Sequence, residues 1–108
     1  MTDETAPSLE QVVAEAASEL EAVEEAATPG GGVEWSIDAI VFAAVNGGRA
    51  EFRLDPMVAA AALRTPDTSP SPRGGDWVVF GPPELDRHAI DRATAWLASA
   101  WRRADGES

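Results

Sequence analysis

From Ser8 to Ala27 the apolar residues Leu9, Val12, Val13, Ala16, Leu20, Val23 and Ala27 recur at three- and four-residue intervals, with glutamates on the other faces. That spacing predicts an amphipathic helix. Ser8 stands where an N-cap belongs, and Gln11 follows three residues later, as a capping box requires. Thr28-Pro-Gly-Gly-Gly32 breaks the pattern and predicts a flexible hinge.

Past the glycines the period shortens towards two. Val33–Ile37 and Ile40–Val45 predict strands, and Asn46-Gly47-Gly48 supplies a turn that pairs Ile40–Val45 with Arg49–Leu54 as a hairpin. In the last segment Ala50, Phe52 and Leu54 share one side, while Arg49, Glu51 and Arg53 share the other, so one sheet face is expected to be wet or to line a site. Asp55-Pro56 opens a short alanine-rich helix, Pro56–Leu63, which Thr65-Pro66 closes. Trp77–Phe80 predicts a short buried strand, ended by Gly81-Pro82-Pro83. A last helix over Glu84–Arg103 carries Leu85, Ala89, Ala93, Trp96, Leu97 and Ala100 as its core stripe. The expected fold class is α+β: a three- to four-stranded, mainly antiparallel sheet packed by helices on one face, in the order α-β-β-α-β-α.

Charge divides this chain of 108 residues in two. Residues 1–32 hold eight of its nineteen acids and no base, a charge of −8, whereas residues 33–108 hold the other eleven against eight arginines, −3. The expected organisation is therefore an acidic segment over 1–32, helical or disordered and ending in the hinge, followed by a small α+β domain over 33–108. Such acidity opposes phosphate backbones and anionic lipid, which makes nucleic acid and membrane surfaces poor partners. The absence of cysteine excludes disulfides, a thiolate nucleophile and a cysteine metal cluster. No run approaches the roughly 18 apolar residues of a membrane span, and no basic start precedes an apolar run near Met1. A soluble cytoplasmic protein is the expectation.

The strand pair with "AEFRLDP", the short helix, the strand "WVVF" and the long helix ending "AWLASAWRR" together resemble the small MmcQ/YjbR-like domains, over about residues 33–103. The resemblance implies a double-wing, frataxin-like fold. It also implies DNA binding, with the acidic segment as an internal competitor, although no residue here carries that role across. The phrase "AAALRTPDTSPSPRG" resembles a segment of small actinobacterial proteins.

Two groups of candidate site residues follow. The connection Arg64–Gly75 is twelve residues long, where four to six is usual, and it sets Arg64 and Arg73 among the hydroxyls of Thr65, Thr68, Ser69 and Ser71. Guanidinium forks accept phosphate and carboxylate groups in two-pronged fashion. Arg53, Arg64, Thr68 and Arg73 thus form a candidate site for a small anion, with pairing of Arg64 and Arg73 to Asp67, Asp76 or Glu51 as the alternative. On the acidic segment the stripe of Leu9, Val13 and Leu20, with Trp35, is the candidate partner-binding surface. His88 stands alone, without a nucleophile or second metal ligand at helical spacing. Neither a catalytic set nor a cofactor or metal site is expected. The sequence points first to a non-enzymatic protein-interaction module, next to an anion- or ligand-binding domain, and then to a nucleic-acid binder restrained by its own acidic arm.

Overall fold

The structure, a computed structural model, describes residues 7–108; Asp3 and Glu4 of the acidic segment lie outside them. Helix α1 spans Leu9–Ala17 and opens with the expected capping box, in which the Gln11 amide donates to Ser8 Oγ at 3.1 Å and the Ser8 amide to Gln11 Oε1 at 2.8 Å. The helix predicted through Ala27 ends ten residues early. Continued, it would set Glu15 against Glu19 and Glu21 against Glu25, like charges four residues apart with no base between them. Instead Ala22 takes a positive φ of 64°, and Glu24–Ala27 pairs with the following segment as strand β1.

The glycine run is a tight turn. The Thr28 amide donates to Gly32 O at 2.9 Å, and the Gly32 amide to Thr28 Oγ1 at 3.0 Å. Strands β2 (Val33–Ile37), β3 (Ile40–Asn46) and β4 (Arg49–Arg53) then form a meander. Helix α2 is Pro56–Ala62, with proline at its start as expected. The Pro-rich connection is itself a hairpin, β5 (Thr68–Ser71) with β6 (Gly74–Phe80), and α3 runs from Arg87 to Glu107. All neighbours pair antiparallel in one six-stranded sheet, ordered β1-β2-β3-β4-β6-β5. The α+β class holds; the sheet has two more strands than the upper expectation, and both are its edges.

The core lies on one side of this sheet. Phe42, Phe52, Leu54 and Phe80 fill it from the strands and turn, and Ala89, Ala93, Leu97, Ala100 and Ala104 from α3. Small residues at four of those five α3 positions let the helix lie close to the strands. Trp96 closes one flank by meeting Phe80 edge-on at 5.1 Å. Leu9, Val13 and Ala17 of α1 join the same cluster, and α1 packs chiefly on α3. Trp101 secures the turn after α1 by donating its indole Nε1–H to Glu21 O at 3.0 Å. Residues 7–32 are thus packed into the same body as residues 33–108, and the boundary expected at residue 32 is no gap in the contacts.

Gly32 separates a hinge from a tight turn experimentally. A Cβ at Gly32 would collide with the carbonyl oxygen of Val45 and crowd Thr28 Oγ1. Gly32→Ala is expected to lower the unfolding free energy by about 2–4 kcal/mol in urea, whereas a freely moving linker would accept alanine with no shift in the midpoint.

Candidate functional site

Three surfaces of the described chain combine chemistry with access: the helix-free face of the sheet, the groove beside β1, and α2. On the first, strand alternation sets Glu34, Ala44, Glu51, Val79 and Ser69 in one row across the sheet, opposite in sense to the core residues Ala50 and Phe52. The tip of the β5–β6 hairpin lies over this row. Arg73 Nε donates to Glu51 Oε1 at 2.8 Å and Nη2 to Glu34 Oε2 at 2.9 Å, while its guanidinium sits 5.0 Å from the centre of the Trp77 ring. Ser71 Oγ donates to Glu51 Oε2 at 2.6 Å and accepts from the Arg73 amide at 3.0 Å. Under this clip Ala44 is only 3% exposed, although no core cluster includes it. Burial alone would lower the Arg73 pKa, but the hydrogen bonds and attraction of Glu51 and Glu34 outweigh it and raise the value.

A second network fastens the end of α3. Arg103 donates to Leu54 O, to Asp76 Oδ2 at 3.1 Å and to Glu107 Oε2 at 3.3 Å. Glu107 also accepts from Arg53 Nη1 at 2.6 Å. The Arg53 bond, against a weaker opposing effect of desolvation, holds the Glu107 carboxyl below its ordinary pKa, with Arg103 helping.

The four residues expected to hold an anion are therefore dispersed. Arg53 is paired with Glu107 and Arg73 with Glu51 and Glu34, as the alternative reading of the arginines allowed for Glu51. Thr68 Oγ1 donates to Ala62 O and Thr65 O, both at 2.8 Å, and closes the turn after α2. Arg64 is exposed and has no side-chain partner among the described residues. A trough of about 330 Å³ beside the clip is lined by Asn46, Arg49, Glu51, Pro72 and Val79. Its exposed arginine is Arg49, which the sequence reading placed on the wet face but not in the site.

The expected partner-binding stripe is also redistributed. Leu9, Val13 and Trp35 are buried at 5%, 1% and 1% exposure, and Leu20 packs partly against the core. These residues hold the fold together and are not displayed. Beside them a groove of about 420 Å³ runs between α1 and β1, with Ser8, Glu10, Gln11 and Ala14 on one wall and Glu25 on the other. Val33, Trp35 and Val45 form its floor. Glu25 Oε1 accepts from Trp35 Nε1 at 3.2 Å, and Glu10 Oε2 from the Gly47 amide at 2.9 Å, so both carboxylates are held at the rim. Among the described residues strand β1 has a neighbour on one side only, and all four of its residues are exposed. Its outer backbone edge is open to pairing.

Helix α2 leaves Met57 85% exposed and Leu63 39% exposed. His88 lies exposed in the first turn of α3. Among the described residues no group of three or more His, Asp or Glu side chains could hold a metal, and no helix is long and apolar enough to cross a membrane.

None of the family models compared with the chain matches it, and neither does any curated protein. A crystal structure of a protein from Pseudomonas syringae is similar in fold, with a TM-score of 0.58 over 83% of this chain and 93% of that one, at 11% identity. At that identity the likeness speaks for the α+β fold alone.

The Arg73 clip joins three strands through side chains that are each about a third exposed or less. Arg73→Ala is expected to cost about 1 kcal/mol of stability after allowance for solvent screening. In a Glu51→Gln background the same substitution should cost measurably less, because the network is already broken; equal costs in urea unfolding would show that the clip is not coupled.

Proposed function

We propose that the chain is a non-enzymatic protein-interaction module whose binding element is the groove between α1 and β1. The observation that carries the reading is a groove floored by half-buried Val33, with Trp35 and Val45 buried beneath it, lying beside a strand edge with no partner among the described residues and under two fixed carboxylates. An extended segment can add its backbone to the edge of β1 while every second side chain turns towards the groove. The floor suits an aliphatic residue. Glu25 on β1, with Glu10 opposite, favours lysine or arginine next to that anchor and disfavours acidic segments.

The test uses two synthetic peptides of equal length, one alternating leucine with lysine and one alternating leucine with glutamate. In an NMR titration of the full chain, the lysine peptide should shift the Trp35 indole, Val33 and Ala14 resonances, less so as salt is added. Glu25→Arg should remove that response. Equal effects from both peptides, or shifts gathered on another surface, would overturn the proposal.

A further inference from the structure

Of the three arginines on β4 and at the tip of the β5–β6 hairpin, two are neutralised and one is not. Arg53 is paired with Glu107, and Arg73 with Glu51 and Glu34. Arg49 is exposed, and its side chain has no ion-pair partner among the described residues. Strand alternation sets Glu51 two residues along and on the same side of the sheet. Both oxygens of that carboxylate are engaged, Oε1 by Arg73 and Oε2 by Ser71. The acid nearest to Arg49 along the strand is therefore committed to the clip.

Arg49 also stands in a concave place. Asn46, its direct partner in the β3–β4 register, flanks it. The trough of about 330 Å³ that these two residues line is completed by Glu51, by Pro72 of the hairpin tip and by half-buried Val79. A Cβ at Gly81 would meet Arg49 Cγ at 3.5 Å, so the aliphatic stem of the arginine lies along β6 in space that glycine leaves free. A cation and a side-chain amide thus share one cavity with two apolar surfaces.

We infer that this trough binds a small monocarboxylate carrying a short apolar chain. A guanidinium takes a carboxylate in two-pronged fashion, and the Asn46 amide supplies a further donor beside it. The apolar chain lies on Val79 and against Pro72. A doubly charged phosphate fits less well, because in the clip two carboxylates meet one guanidinium and keep one net negative charge beside the trough. Arg49 balances a single charge there, and the chain as a whole, at −11, repels more. The volume lies at the small end of ligand cavities, roughly 300–1,000 Å³, which favours a short chain over a long one. The site is lined by none of the residues of the groove between α1 and β1 and does not depend on that reading.

Four probes test it in NMR titrations of the full chain, read at the Arg49 and Asn46 side chains and the Val79 methyls: isovalerate, isovaleramide, acetate and inorganic phosphate. Isovalerate should shift these signals with a Kd of roughly one millimolar. Isovaleramide, which has the same shape without the charge, should leave them in place. Acetate, which has the charge without the chain, should bind about tenfold more weakly, and phosphate should also be weaker than isovalerate. Arg49→Gln should remove the isovalerate response and leave the urea midpoint unchanged, since the side chain holds no ion pair in the fold. Silence towards isovalerate up to about ten millimolar overturns the inference, as does a response that survives Arg49→Gln. So does isovaleramide, acetate or phosphate binding as tightly as isovalerate.

Discussion

The fold depends on the burial of a single helical stripe, Leu9, Val13 and Ala17, against α3 and the sheet. These side chains draw a segment dense in glutamate onto the body of the protein. Because the three apolar residues point inward, the carboxylates of α1 are turned towards solvent or the groove rim, where desolvation costs little. Once α1 is fixed, the chain after it has only a short reach. It turns at Ala22, is held there by Trp101, and lies along β2 as the edge strand β1. The groove, its apolar floor and its acidic rim all follow from that one docking event.

The two sides of the sheet are finished by different physics. One is covered by helices whose alanines bring them close and whose opposing surface is aromatic and aliphatic. The other carries no helix among the described residues, and is covered in part by the hairpin tip, which hides Ala44 beneath a guanidinium bonded to two carboxylates and stacked on an indole. Packing area drives the first and charge-assisted hydrogen bonds secure the second. The surfaces left over are at the margins of the sheet and on α2, and the proposed binding groove lies at one such margin, beside β1.

Much of this was legible in the residues. The Ser8–Gln11 capping box, the turn after Asn46, the proline start of α2 and the α3 stripe through Ala89, Ala93, Leu97 and Ala100 are local signals, and each appears where its spacing placed it. What could not be read were the two edges. An outer strand has no second neighbour to satisfy, so it tolerates the residues that normally argue against strands. Glu24-Glu25-Ala26-Ala27 continued a helical pattern, and Thr68-Ser69-Pro70-Ser71 looked like a loop because of its proline; both are edges. The ion pairs of two arginines were hidden for a related reason. The strand alternation places Arg53 on the wet face and the Pro-rich connection carries Arg73, but their carboxylate partners come from residues 54 and 22 to 39 positions away, and only tertiary structure brings those together. The cross-strand bond of the Trp35 indole to Glu25 needs a strand that the sequence conceals.

Helix α1 is an integral part of the folded body. Native-state hydrogen exchange followed by NMR measures this directly, because the amides of residues 12–18 are bonded within or at the end of α1 and should open only with the rest of the molecule. Protection of these amides close to that of β3 and β4 is expected. Exchange at unstructured-chain rates in α1, while β3 and β4 remain protected, would contradict it.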